Sequence, residues 1–263
     1  MRAILAIARK ELAELFASPI AYASLTAVAL VTSLSFFDSL KNFNTQLMIV
    51  QSQVILSEGM MGAIPAELNL FDMVFLPTVV QTALVLLVVV PLVTMGVFAQ
   101  ERTRRTDELL LTLPVRNTQV VAGKFLATYI FLFTVLVVTV LFPALTVAYT
   151  DVGQGPMLTV FVGMVLLACA LASLGLLGSS LTQTQLVAAL SAYAVSLTLF
   201  DFNWMTEFTG ERMDAVLRFL SLQAHFESFP RGLLPLEDVL YLLALCVMGF
   251  LLARAGLGVQ RIH

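Results

Sequence analysis

The sequence predicts an all-α integral membrane protein, with six transmembrane helices, an amphipathic interfacial helix before them and short helices ahead of the last span. Three observations carry that expectation. Hydrophobic residues make up 59% of the chain and charged ones 12%, roughly half the charge of a soluble domain. The apolar residues gather into separate runs of span length, and the mean hydropathy is +0.95. Six spans place both termini on one side, and that side collects ten of the fourteen Lys and Arg, the bias expected of a cytoplasmic face.

Residues 2–17 read as an amphipathic helix rather than a span. At helical period Ile4, Leu5, Ala8, Leu12, Leu15 and Phe16 share one face, while Arg2, Arg9, Lys10, Glu11 and Glu14 occupy the other, with Ile7 the one misfit. Such a helix lies along the membrane surface with its basic residues near the headgroups. Ser18-Pro19 ends it, and the first span follows at Ile20–Phe37. Asp38–Asp72 reads as an acidic external connection broken by Gly59, Gly62 and Pro65.

The second span, Met73–Phe98, is Val/Leu-rich, and Pro91 is placed to kink it near its cytoplasmic end. The third is Phe125–Tyr149, followed by a tight turn at Asp151–Pro156. Met157–Leu181 is the fourth, and Leu186–Phe200, the fifth, is short for a full crossing of a core about 30 Å thick. Asp201–Glu237 forms an outer segment, Asp238–Gly256 the sixth span and Leu257–His263 a tail, so the whole chain is one membrane domain. Small residues at helix-packing spacing, Ala168/Ala172, Gly175/Ser179 and Ala188/Ala192, predict close contacts within the bundle.

Between the second and third spans lies a basic island, Gln100–Lys124, holding Arg102, Arg104, Arg105, Arg116 and Lys124. It carries the punctuation of a short helix. Thr106 is placed as an N-cap, Asp107 and Glu108 favour the helix N-terminus, Leu109, Leu110 and Leu113 form an apolar edge, and Pro114 stops the turn. Asn117 and Thr118 offer a second cap for the helix that runs on through Gly123-Lys124. A loop that only sets topology needs no capped apolar helix with a proline stop. The pattern therefore points to a docking element for a cytoplasmic partner, with a plain solvated loop as the alternative.

Other chemistry finds little support in the residues. No Asp, Glu, Lys, Arg or His lies in the middle of a span, so the buried titratable group of a proton- or ion-coupled carrier is not evident. Gly123-Lys124-Phe125 has neither the preceding glycine nor the hydroxyl of a phosphate cradle. His225 and His263 are too separated to suggest a metal site or to activate a nucleophile, and Cys169 and Cys246 sit inside apolar runs. No cofactor, metal or nucleic acid is expected to bind this chain, and any energy source must be separate.

Three stretches resemble the ABC-2 type transporter permeases. Ala8–Ala23, ARKELAELFASPIAYA, resembles that family's amphipathic entry helix with its Ser-Pro at the membrane boundary. The island matches the family pattern through Glu101, Thr106, Glu108, Leu110, Pro114, Val115, Gly123, Lys124 and Phe125. Phe219–Leu243 is similar to the Gld-type, gliding-motility-associated branch. Arg102–Arg105 is more basic than the usual Gly-rich version of this motif.

The resemblance implies a permease that pairs with a second protomer in a bacterial inner membrane, above a dimer of cytoplasmic ABC ATPases that bind ATP and Mg. The coupling residues it implies are Glu101, Arg102, Thr106, Asp107, Glu108, Leu109, Leu110, Leu113 and Pro114. It also implies short helices in Asp201–Glu237, which read either as an amphipathic cap resting on the bilayer or as a gate or platform for a membrane subunit with a large outer domain. There Trp204, Phe208, Met213, Leu217 and His225 are the candidate residues. The expectation is a non-catalytic permease subunit of an exporter, whose cargo is lipid-like or replaced by force transmission. The alternative is a non-transporting anchor or assembly subunit.

Overall fold

The computed structural model of the chain describes residues 2–56, 69–103, 116–148, 154–200, 202 and 211–260. Among these it is all helical: α1 (Arg2–Ala17), α2 (Pro19–Leu56), a π-helical turn (Phe71–Phe75), α3 (Leu76–Thr94), α4 (Gly96–Thr103), α5 (Asn117–Ala148), α6 (Gln154–Leu181), α7 (Gln185–Phe200), α8 (Glu211–Leu220), α9 (Leu222–Phe226) and α10 (Leu236–Gln260). Five helical stretches are long and apolar enough to cross a membrane, and α7 is a shorter apolar helix. They coincide with the six apolar runs of the sequence.

Several of the polar side chains buried in the spans have their hydroxyls satisfied within their own helix. Thr78, Thr82 and Thr94 donate to the carbonyls of Val74, Thr78 and Val90, at 2.7, 2.7 and 2.9 Å. In lipid, where water cannot take over, this removes the penalty of an unpaired donor. α6 is the central helix and packs against α3, α5, α7 and α10. Ala168, Ala172, Ser179, Ala188 and Ala192, the small residues expected at helix contacts, are all buried. Ser173 also donates to the Leu245 carbonyl across the α6–α10 contact at 3.1 Å.

Two elements depart from the sequence expectation. α2 does not end at Phe37 but continues through Asp38 and Lys41 to Leu56. No Gly or Pro interrupts it there. Phe36, Phe43 and the half-buried Leu40 and Leu47 pack against Val74, Leu70 and Met73, so the extension carries its own apolar contact. The second span's helix is interrupted at Met95, one turn after Pro91, where the backbone itself stays helical, and α4 carries the span on to Thr103. Gly59, Gly62 and Pro65 lie outside the described residues.

Candidate functional site

Lys124 decides how one end of the bundle is built. Its side chain is fully buried, and an ammonium has three N–H donors that must all find acceptors there. It donates to Glu11 Oε1 at 2.9 Å and to the Val97 carbonyl at 2.6 Å, and Glu101 Oε1 lies 3.0 Å away. The Phe98 ring adds a cation–π contact, with Nζ 5.2 Å from its centroid. Three elements therefore meet at one ammonium: α1 through Glu11, α4 through Val97 and Glu101, and α5 through Lys124 itself.

Lys10 completes the cluster from outside. Half exposed, it reaches Glu14, Glu101 and Glu11 at 3.3, 3.5 and 3.6 Å. Burial pushes the Glu11 carboxyl above the ordinary carboxylate range, against the pull of Lys124. Burial works to lower the Lys10 ammonium, but Glu11, Glu101 and Glu14 together hold it above its usual value. A cavity of about 590 Å³ opens beside this cluster, with Lys10, Glu14, Gln100 and Gln185 on its wall.

The placement of Glu11 corrects the helical-wheel expectation. α1 does not expose its whole polar face, because Glu11 is buried against the bundle beside Ala8, while Leu5, assigned to the apolar face, is exposed. The contact stripe is rotated, and Ile7, the misfit, belongs to it. Gly123 makes this possible. A Cβ there would lie 2.8 Å from both Cβ and Cγ2 of Ile7 and 3.1 Å from the Ile4 carbonyl oxygen. Gly123→Ala is therefore expected to lift α1 from α5 at a cost of about 1–3 kcal/mol. The check is a lowered melting temperature in detergent and faster tryptic cleavage at Arg9 and Lys10, with Ile7→Ala in the same chain restoring part of the loss.

α4 is fixed on its other side by the end of α6. The Ser179 hydroxyl accepts from the backbone N–H groups of Phe98 and Ala99 at 3.1 and 3.2 Å and donates to the Met95 carbonyl at 2.9 Å. It thus satisfies polar groups freed by the helix break. The Arg102 guanidinium donates to the carbonyls of Ser180 and Thr182 at 2.5 and 2.6 Å, capping the C-terminus of α6. At the start of α5, the Gln119 side chain accepts from the Arg116 N–H at 3.1 Å. Arg116 thus takes the cap position expected of Asn117, which is the first helical residue.

Of the sequence-predicted coupling residues, Glu101 and Arg102 are brought into this assembly, while Thr106, Asp107, Glu108, Leu109, Leu110, Leu113 and Pro114 lie outside the described residues. Glu11, Lys124 and Ser179 were missed as site residues. The signal for the first two was present in the misfit Ile7, one turn before Glu11, and in the Gly123-Lys124 pair. Of the outer candidates, Trp204 and Phe208 also lie outside the described residues, and Met213 falls in α8. Leu217 is buried, and His225 is buried with both ring nitrogens bonded within the chain. Among the described residues no three His, Cys, Asp or Glu side chains gather in a way that could hold a metal ion.

No curated protein matches the sequence. The family model for ABC-2 family transporter proteins matches residues 5–253, from α1, through the Lys124 cluster, into the last span. This membrane-embedded helical chain belongs to the ABC-2 transporter family.

Proposed function

We propose that the chain is the permease subunit of an ATP-binding cassette exporter, driven through residues 104–115 by a separate cytoplasmic ATPase dimer that binds the ATP and Mg. The observation that supports this most is the mounting of that segment's two stems. The stem before it, α4, is bonded to the end of α6 by Ser179 and Arg102, and the stem after it, α5, carries Lys124. The Lys124–Glu101 pair joins the stems to each other and Glu11 joins them to α1. A push on the segment reaches α1, α5 and α6 as a rigid unit rather than being absorbed by a loose loop. Glu14, Gln100 and Gln185 around the adjoining cavity give the ATPase further polar surface to grip.

The ten-to-four distribution of bases favours this end as the cytoplasmic one, with both termini inside a bacterial inner membrane. Likeness to the ABC-2 permeases favours a second permease protomer, and likeness to the Gld-type branch over Phe219–Leu243 favours a membrane subunit with a large extracytoplasmic domain near α8 and α9. Purified alone, the chain is expected to hydrolyse no ATP, and hydrolysis is expected only when a cytoplasmic ATPase co-purifies. Robust hydrolysis by a preparation containing this polypeptide alone contradicts the assignment.

A further inference from the structure

At the end of α6 opposite Arg102, α8 and α9 form a cap with one histidine at its centre. His225 is buried, with Nδ1 2.7 Å from Asp238 Oδ1 on α10 and Nε2 3.0 Å from the Phe219 carbonyl oxygen on α8. A carbonyl only accepts, and a carboxylate only accepts. A neutral imidazole has a single N–H and can serve one of them. Both bonds at once require one further proton, held either on the imidazole or between it and Asp238.

The surroundings fix the imidazole in place and pin the rest of the cap. The Tyr241 ring lies parallel to the imidazole with centroids 4.0 Å apart, and its hydroxyl donates to the Leu220 carbonyl at 2.7 Å. The Ser221 hydroxyl donates to the Phe200 carbonyl at 3.0 Å, and Thr159 donates to the Phe229 carbonyl at 3.1 Å. Phe229 is fully buried against Gly163, where a Cβ would lie 2.5 Å from its ring. α6 and α7, which also pack on α9, contain no Asp, Glu, Lys, Arg or His. Among the described side chains, Asp238 is thus the buried carboxyl group facing His225. Glu237 on α10 and Arg218 on α8 are exposed to solvent screening, as are Glu227 and Arg231, which pair with each other at 3.9 Å.

The geometry points to a proton-dependent clasp: His225, bridging Asp238 and the Phe219 carbonyl, closes the α8–α9 cap over the bundle when the bridge is protonated and loosens α8 when that proton leaves. Because the two acceptors on either side of the ring need that further proton, the clasp weakens in the direction of rising pH. With the Asp238 bond kept, the Nε2 lone pair then faces the Phe219 oxygen, and α8 is the element released.

Hydrogen–deuterium exchange on the full-length chain in nanodiscs, corrected for intrinsic exchange rates, tests this. Protection of residues 211–226 is expected to fall about ten-fold from pH 5.5 to 8, the size expected for loss of one charge-assisted hydrogen bond. Protection within α3 and α6 should not change. His225→Gln should be loose at both pH values and lose the response, whereas Tyr241→Phe should lower protection equally at both. Equal protection of the wild-type cap at pH 5.5 and 8, or a full response surviving in His225→Gln, overturns the clasp.

Discussion

Lys124→Met is expected to destabilise the protein by about 3–5 kcal/mol, the cost of removing one partner from a buried ionic group. The loss does not come from the methylenes, which methionine replaces. It comes from Glu11 and Glu101, which converge on Nζ from two elements at 2.9 and 3.0 Å and would be left facing each other without the buried cation. Lys10 is half exposed and 3.5 Å or more from both, too solvated to take its place. Thermal unfolding in detergent checks the size of the effect, and a cycle with Glu11→Gln checks its cause. Lys124→Met with Glu11→Gln should be more stable than Lys124→Met alone, because one uncompensated carboxylate is gone. Lys10→Ala should cost about 0–1 kcal/mol, as an exposed pair does.

The spans were legible because the bilayer demands long apolar runs, and the structure places helices on all six. The limits of legibility lie where polar residues continue a helix. Asp38 and Lys41 read as the edge of a loop, yet the stripe Phe36, Leu40, Phe43 and Leu47 carries α2 onward by packing on Val74 and its neighbours. That stripe is visible at helical period, but nothing local says that a partner surface exists for it. The same is true of the site. Glu11 and Lys124 are 113 positions apart and His225 and Asp238 are 13, and hydropathy has no term for such pairings. A buried lysine was legible only indirectly, as a charge where a span begins beside a glycine that leaves room for α1.

The second large effect is expected at Leu110, on the apolar edge of the segment between α4 and α5. A carboxylate buried at a protein interface without a partner costs several kcal/mol, enough to dissociate a contact of micromolar strength. Leu110→Asp should therefore abolish ATPase binding or uncouple its hydrolysis, while membrane insertion and the Lys124 cluster remain intact. Arg104→Gln, which removes one charge from the same segment, should change binding by about 0–1 kcal/mol, the range of an ordinary surface ion pair. A loop that served only to orient the chain would respond in the opposite order, to loss of its arginines. The direct measurement is co-purification of the ATPase with wild type, Leu110→Asp and Arg104→Gln, followed by hydrolysis assays on each preparation. Association and coupled hydrolysis are expected for wild type and Arg104→Gln, and their loss in Leu110→Asp; full association and hydrolysis in Leu110→Asp would overturn the coupling role of this segment.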